Sequence, residues 1–152
     1  MDMIRKHFND LTVDELYEIL KTRQEIFIIE QDCPYNDIDD LDRDAVHVFI
    51  RDGKGRVTAC LRVFMRDKDQ GIAQIGRVVT LEHGKGQGGA ILKEGVKVAS
   101  EYFCAKKIYL EAQEYAIGYY KKEGFKVVSD PFPEDGIPHV KMELDLSIKK
   151  RF

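Results

Sequence analysis

The sequence has 152 residues, a length that predicts one domain, residues 1–152, around a single hydrophobic core. Its 43% hydrophobic and 34% charged residues are typical of a soluble globular protein, and a net charge of −3 argues against a general nucleic-acid-binding protein. No apolar run approaches the ~18 residues of a membrane-spanning helix, and the N-terminal segment lacks the apolar core of a signal peptide. Three cysteines without a CxxC pair favour a reducing compartment. We therefore expect a cytoplasmic protein with neither membrane nor nucleic acid as a partner.

The first predicted elements are a strand over residues 1–8 and a helix over residues 12–30. Thr12 followed by Glu15 is the pattern of a capping box, in which each side chain binds the backbone of the other residue. Apolar side chains then recur at the spacing of one helix face. They are Leu16, Ile19, Leu20, Ile26 and Phe27. We expect this helix to pack that face against the core.

The next segment, residues 32–45, is acidic and irregular, and it predicts a loop with one helical turn. Its carboxylates include those of Asp37, Asp39, Asp40, Asp42 and Asp44. Their spacing lacks the central glycine and the terminal glutamate of an EF-hand loop, so we expect no metal site. A run of like charges usually lies on a solvated surface, which is the expectation for this segment. Recognition of a cationic substrate is the alternative.

The remaining elements alternate between strands and helices. Residues 46–50 and 57–66 have the period-2 pattern of strands, and the Asp-Gly sequence between them indicates a hairpin. The other predicted elements are strands over 74–80, 107–110, 125–128 and 140–146, helices over 84–103 and 115–123, and a proline-containing loop over 130–139. This order, β-α-β-β-β-α-β-α-β-β, predicts an α+β (mixed α/β) fold with a largely antiparallel sheet.

Four glycines, at 84, 86, 88 and 89, lie between a predicted strand and a predicted helix. They expose backbone N–H groups at a helix N-terminus, where phosphate binds favourably. A P-loop is excluded because no Gly-Lys pair precedes Ser or Thr. The letters also satisfy the GxGxxG dinucleotide fingerprint, but the preceding strands form hairpins rather than the required βαβ unit. A tight turn that binds no ligand is the remaining structural alternative.

The same segment resembles the pyrophosphate loop of the GNAT acetyltransferases, [R/Q]-x-x-G-x-[G/A]. His83 to Gly88 occupy this frame, with His83 at the position of the usual arginine or glutamine. The resemblance implies a central twisted, largely antiparallel sheet flanked by three to four helices, with acetyl-CoA as co-substrate. It also implies that coenzyme A contacts Val78, Val79, Thr80, His83, Gly84, Lys85, Gly86, Gln87, Gly88 and Gly89.

The segment from Ala116 to Phe125 resembles the A-x-x-x-Y-x-x-x-G-F segment that follows in GNAT chains. The resemblance implies that Tyr120 protonates the departing coenzyme A thiolate. A proton donor is useful at that step because it eases expulsion of the thiolate from a tetrahedral intermediate. The alternative for Tyr120 is a half-buried packing residue with a hydrogen-bonded hydroxyl.

Two more segments resemble the ElaA-type subgroup of these enzymes. Residues 23–39 resemble R-x-x-V-F-V-V-E-Q-x-C-P-Y-x-D-x-D, and residues 134–142 resemble E-D-G-I-P-H-x-x-M. The resemblance extends over residues 23–142 and implies an acceptor pocket near these motifs. The acceptor-side candidates are Arg23, Glu30, Tyr35, Arg77, Glu111 and His139, with Arg77 as an orienting group only. The sequence does not single out a general base among them.

Together, these resemblances imply an acyltransferase that moves an acetyl group from acetyl-CoA to a primary amine, without a metal. The acceptor would be a small molecule or a peptide. Two alternatives remain open: a coenzyme A-binding sensor or interaction module without catalysis, and a transferase that uses another short acyl-CoA. The sequence is compatible with a monomer or a homodimer.

Overall fold

The computed structural model describes residues 2–81 and 85–147, which share one eight-stranded sheet. Its strands are β1 (Asp2–His7), β2 (Val46–Arg51), β3 (Val57–Asp67), β4 (Ile72–Thr80), β5 (Lys107–Gln113), β6 (Lys126–Val127), β7 (Phe132–Glu134) and β8 (Ile137–Asp145). The longer helices are α1 (Val13–Arg23), a π-helical segment (Gln24–Glu30), α2 (Gln87–Glu101) and α3 (Ile117–Lys121). Across residues 2–81 and 85–147, no helix has the length and apolar character needed to span a membrane.

The strand order is β1-β2-β3-β4-β5-β8-β6, and β7 pairs with β8 beside this path. Every neighbouring pair is antiparallel except β4 and β5, so the predicted mixed, largely antiparallel fold is confirmed. β4 and β5 pair only along Ile72–Gln74 and Lys107–Tyr109. Beyond these residues the described parts of the two strands no longer pair, which leaves a gap in the middle of the sheet.

A β-bulge lies in β4 at the start of this gap. Arg77 and Val78 of β4 together lie opposite the single residue Leu61 of β3. Arg77 has a φ of 51°, in the left-handed region that few non-glycine residues adopt. A bulge bends the strand that carries it, which explains why β4 diverges from β5 after a short paired stretch.

The two faces of the sheet have separate hydrophobic clusters. Side chains alternate between faces along a strand, so the neighbours Cys60 and Leu61 of β3 point in opposite directions. Leu61 belongs to the larger cluster, which packs against α2, and Cys60 belongs to the smaller one, with Ile19 of α1. Helix α2 approaches the sheet closely at Gly95, where an added Cβ would lie 3.1 Å from Leu61 and 3.3 Å from Ile75.

The predicted first helix is confirmed, although its geometry changes along its length. Thr12 and Glu15 form the expected capping box, with N···O distances of 2.8 and 3.0 Å. From Gln24 to Glu30 the helix continues with the wider turns of a π-helix. The second helix is shorter than expected: α2 begins at Gln87, after Gly86 at a φ of 75°, and ends at Glu101. Gly84, where the sequence predicted its start, lies outside the described residues.

The prediction of a loop over residues 130–139 is wrong, because this segment contains the β7–β8 hairpin. Asp135 and Gly136 both have positive φ angles, 51° and 76°, as the central residues of a type I′ turn do. Pro133 lies opposite Pro138. In an antiparallel hairpin, pairs that exchange N–H···O bonds alternate with pairs that do not. Counted from the two-residue turn, Pro133 and Pro138 form a pair of the second kind. The missing N–H groups of the two prolines therefore do not prevent the strands from pairing.

We expect Gly95→Val to lower the free energy of unfolding by roughly 1–3 kcal/mol, because the new side chain displaces Leu61 and Ile75 in a closely packed interface. The matched control is Gly118→Val, where an added Cβ meets nothing within 4 Å. Urea unfolding of both variants measures the difference. Equal stability of the two variants would contradict the close approach of α2 to the sheet.

Candidate active site

Two cavities open at the gap between β4 and β5. The first, which we call the glycine-loop cavity, has a volume of about 490 Å³ and is lined by Val78–Thr80, Gly86–Gly89, Glu30 and Tyr119, among others. The second, which we call the polar cavity, has a volume of about 540 Å³. Its polar lining includes Tyr35, Arg77, Glu111, Glu134 and His139. The two cavities share the lining residues Phe27, Gln31, Val78, Tyr115, Ala116 and Tyr120.

Glycine residues leave part of the backbone in the glycine-loop cavity without side chains. Gly86 precedes α2 in the left-handed conformation, and Gly88 lies in the first turn of the helix. A Cβ on Gly88 would lie 3.2 Å from the Tyr119 ring, whose hydroxyl donates a hydrogen bond to the Gly88 carbonyl. The first backbone N–H groups of α2 therefore have no side chain in front of them at Gly88 and Gly89. Among the other predicted loop residues, Lys85 is exposed, and His83 and Gly84 lie outside the described residues.

Tyr120 lies where the two cavities meet. Its side chain is only 7% exposed, and its ring contacts Tyr119 and Phe125 edge to face. Within residues 2–81 and 85–147 no group forms a hydrogen bond with its hydroxyl. Burial, and to a lesser extent the neighbouring Tyr119 and Tyr115, raises the pKa of Tyr120 well above its ordinary value. The hydroxyl therefore keeps its proton at neutral pH and is free to donate it in the cavity.

Acidic groups form one wall of the polar cavity. Glu111 of β5 accepts a hydrogen bond from the Tyr109 hydroxyl at 3.0 Å, and Glu134 at the end of β7 lies beside it. Burial, and then the charge of Glu111 and a hydrogen bond to it, raises the pKa of Glu134. His139 Nε2 lies 3.5 Å from the carboxylate of Glu134. This wall can bind a cationic group or accept a proton.

Comparison with known proteins identifies the family. The family model described as an acetyltransferase (GNAT) domain matches residues 21–146. The chain belongs to the GNAT superfamily. ElaA of Escherichia coli is 34% identical over 140 residues, which are 90% of this chain and 91% of ElaA. This similarity, together with the motifs at residues 23–39 and 134–142, assigns the chain to the ElaA-type subgroup.

Other similar proteins support this assignment. A UPF0039 protein of Schizosaccharomyces pombe is 36% identical over 96% of this chain and 98% of its own length. The crystal structure of E. coli ElaA superposes with a TM-score of 0.88 at 30% identity, over 95% of this chain and 99% of ElaA. An acyl-CoA N-acyltransferase from Pseudomonas aeruginosa superposes with a TM-score of 0.86 at 35% identity, over 94% and 99% of the two chains. Together they support acyl transfer as the general activity of this GNAT protein.

The two cavities bring together most of the candidate residues named from the sequence. Among the acceptor-side candidates, Tyr35, Arg77, Glu111 and His139 line the polar cavity. Glu30 instead lines the glycine-loop cavity. The described coenzyme A candidates that line the glycine-loop cavity are Val78, Val79, Thr80, Gly86, Gln87, Gly88 and Gly89.

Arg23 lies in the interior rather than in the candidate site. Its side chain is 1% exposed, and its guanidinium binds Asp37 at 3.0 Å and Asp42 at 2.7 Å behind the polar cavity. Arg23 lines neither of the two cavities that the described residues form. Arg23 was expected on the acceptor side of the site, but its guanidinium lies in the interior, where it binds two aspartates.

Arg23 is part of a buried arginine–aspartate network. Its members are Arg23, Arg62, Arg77, Asp37, Asp39 and Asp42. Asp37 joins the two ends, because one carboxylate oxygen binds Arg23 and the other binds Arg77 at 2.8 Å. The Asp37 carbonyl accepts further hydrogen bonds from both arginines. The network connects α1 and the acidic segment to the bulge in β4.

The expectation of a solvated acidic segment is wrong for the residues of this network. Asp37 and Asp42 are buried, because the arginines of α1, β3 and β4 neutralise them. Burial disfavours the charge of Asp39, but the hydrogen bonds and charge of Arg62, followed by Arg77, outweigh it and lower the pKa of Asp39 to about 2. Among the described residues, no group of three or more histidine, cysteine or acidic side chains has the arrangement of a metal site.

Several residues of the polar cavity were not predicted from the sequence. They are Glu134, Asp39, Arg62, Arg66, Gln74 and Gln113. Glu134 belongs to the E-D-G-I-P-H motif. Its position near Glu111 was not predicted because the Asp135-Gly136 turn was not recognised. Arg62, Phe64 and Arg66 occupy every second position along β3. The period-2 pattern of a strand could therefore have assigned Arg62 and Arg66 to one face.

We expect Arg23→Leu to lower the free energy of unfolding by roughly 3–5 kcal/mol, because it removes the fully buried guanidinium that binds two buried carboxylates and leaves each of them with a single arginine. The matched control is Arg56→Leu, which removes an exposed arginine paired with Glu25 and costs about 1 kcal/mol or less. Urea unfolding at neutral pH compares them. Similar losses in the two variants would mean that the network contributes no more than a surface ion pair.

We also expect the network to make stability depend on pH in acid. The pKa of Asp39 is about 2 in the folded protein and 3.8 ordinarily, so its contribution is present above about pH 4 and is lost as the pH falls towards 2. Asp39→Asn should therefore reduce the slope of unfolding free energy against pH in this range. Asp130→Asn, an exposed control, should leave the slope unchanged. An Asp39→Asn slope equal to that of the wild type would refute this assignment.

Proposed function

We propose that this GNAT protein transfers an acetyl group from acetyl-CoA to a primary amine of a small-molecule or peptide acceptor. The observation that carries the proposal is the meeting of the two cavities at Val78 and Tyr120. A thioester reaching this point through the glycine-loop cavity would face an amine in the polar cavity. The two reactants would thus approach from opposite sides, and the chain would bring them together before reaction.

The glycine-loop cavity has the features that coenzyme A requires. Val78–Thr80 belong to the part of β4 that β5 leaves unpaired, so backbone groups on that edge are available to the amides of a pantetheine arm. Gly86–Gly89 present bare N–H groups at the positive end of α2, which favours pyrophosphate. Lys85 adds a positive charge beside this end. His83 and Gly84 complete the proposed binding set, although they lie outside the described residues.

We propose Tyr120 as the general acid. Its raised pKa keeps the hydroxyl protonated at neutral pH, and its position at the junction of the cavities is accessible to a leaving sulfur. A proton delivered to the thiolate makes it a better leaving group, so that the tetrahedral intermediate collapses towards the amide. A backbone N–H near Val78 would polarise the thioester carbonyl before attack, as an oxyanion-type donor does.

The proposal is tested in two stages. Calorimetric titration with coenzyme A measures binding, and release of coenzyme A thiol from acetyl-, propionyl- and succinyl-CoA measures turnover against a panel of amines. Binding with turnover of acetyl-CoA supports the proposal. Faster turnover of a longer acyl-CoA would mean that this compound, and not acetyl-CoA, is the donor. Binding without turnover on any amine would indicate a sensor. Absence of binding at millimolar coenzyme A would refute the coenzyme A site.

We expect Tyr120→Phe to reduce kcat by about 10²-fold or more, with little change in the KM for acetyl-CoA, because it removes the proton donor and leaves the ring in place. Tyr102→Phe is the matched control: Tyr102 is exposed and lies just after α2, outside both cavities. Steady-state kinetics with a saturating amine measure both. An unaltered kcat in Tyr120→Phe would remove Tyr120 from the acid role.

A further inference from the structure

Glu111 and Glu134 differ from the network aspartates near the site in lacking an arginine or lysine partner. The three aspartates of the arginine–aspartate network all bind arginine, whereas in the described part of the chain neither glutamate forms an ion pair with arginine or lysine. The two carboxyl groups instead lie together in one wall of the polar cavity, where the charge of Glu111 acts on Glu134. Two neighbouring carboxyl groups avoid the repulsion between their charges when one of them holds a proton.

The hairpin between β7 and β8 creates this pair. Glu134 is the last residue of β7, and the Asp135-Gly136 turn folds it back over β8, which pairs directly with β5. Glu111 lies on β5 and faces the polar cavity. The pair therefore joins the cavity wall to the hairpin at the surface.

Neighbouring groups hold the pair in position. The Tyr109 hydroxyl donates to Glu111 at 3.0 Å, and the Arg66 guanidinium lies 4.1 Å from the centre of the Tyr109 ring. His139 Nδ1 lies 2.7 Å from the Ile137 carbonyl and donates to it, so its Nε2 faces Glu134 at 3.5 Å. The remaining charged groups that face the pair are Asp135 in the turn and Lys141 on β8, whose ammonium lies over the Phe132 ring.

Exposure increases from one end of this chain of groups to the other. Tyr109 is buried and Glu111 is partly buried in the cavity wall, whereas the side chain of Glu134 is 42% exposed. The pKa of Glu134 is raised by burial, by the charge of Glu111 and by the hydrogen bond between them. A proton on Glu134 therefore lies beside a second carboxyl group that faces the cavity. A proton that reaches Glu111 from the cavity can leave to water through Glu134.

We propose that Glu111 and Glu134 form a proton relay that takes the proton from the acceptor's ammonium group in the polar cavity and releases it to solvent at the β7–β8 hairpin. This proposal rests on the proposed acetyl transfer. Glu111 is the catalytic residue of the relay because it faces the amine, and Glu134 acts through it.

The reaction then balances in the following way. Glu111, as a carboxylate, accepts one proton from R–NH₃⁺ as Glu134 passes the shared proton to water. The lone pair of the resulting R–NH₂ forms the C–N bond with the thioester carbonyl carbon. The C–S bond then breaks, and the sulfur takes the proton of Tyr120. The nitrogen loses its second proton to Glu111, which can accept it because the relay has already released one proton to water. This second proton returns to Tyr120 through solvent. The sum is R–NH₃⁺ plus thioester to amide, free thiol and one H⁺.

We expect Glu111→Gln to reduce kcat/KM for an alkylamine by about 10²-fold or more, since it removes the group that accepts the proton. Glu134→Gln should reduce kcat about 10-fold and move the acidic limb of the pH–rate profile to lower pH, because it removes Glu134, the carboxyl group whose pKa is raised. Glu101→Gln, which breaks a surface ion pair with Arg5 far from both cavities, is the control and should keep the wild-type profile. An acidic limb and kcat in Glu134→Gln identical to those of wild type would overturn the relay.

A second measurement separates proton transfer from damage to the fold. Trifluoroethylamine is largely neutral at neutral pH, whereas ethylamine is almost entirely protonated. If the relay removes the ammonium proton, the loss of kcat/KM in both glutamine variants should be much smaller with trifluoroethylamine than with ethylamine. Equal losses on the two amines would contradict the relay even if wild type is active, whereas absence of wild-type turnover on every amine would instead refute the proposed acetyl transfer.

Discussion

Asp37, with Arg23 on one carboxylate oxygen and Arg77 on the other, is the constraint on which the rest of the site depends. Arg77 has a left-handed backbone, which is unfavourable for a residue with a Cβ unless surrounding contacts enforce it. The hydrogen bonds of its guanidinium to Asp37 and Asp39 supply those contacts. The same interactions attach α1 and the acidic segment to β4. The bulge, the separation of β4 from β5 and the two cavities between these strands all follow from that arrangement.

Charge compensation divides the acidic residues around the site into two groups with different roles. Asp37, Asp39 and Asp42 are bound by arginines, so their negative charges are cancelled and they stabilise the fold. Glu111 and Glu134 lie together in the wall of the polar cavity and have no arginine or lysine as an ion-pair partner in the described residues. A compensated carboxylate resists protonation, whereas a carboxyl group beside another negative charge holds a proton more readily. The first group therefore shapes the polar cavity, and the second can take part in chemistry.

Local patterns predicted most of the elements because the interactions that form them lie close together in the sequence. The capping box of Thr12 and Glu15 involves residues three apart, and the alternation along β2 and β3 needs only the strand itself. The hairpin over Asp135-Gly136 was missed because three prolines suggested a loop. Its Asp-Gly turn was the signal that could have found it, since that dipeptide accepts the positive φ angles of a type I′ turn.

The sequence by itself determined the glycine-rich start of α2, the position of Tyr120 in the following short helix and the membership of the ElaA-type subgroup, because contiguous residues carry each of these. Only the tertiary structure decided which charged residues meet. Arg23 and Asp42 are 19 residues apart, and Arg77 reaches across 40 residues to Asp37. Whether an aspartate is solvated or buried against arginine depends on how distant segments pack, and no local pattern contains that information. The same holds for Glu111 and Glu134, which become neighbours only when β7 folds over β8 beside β5.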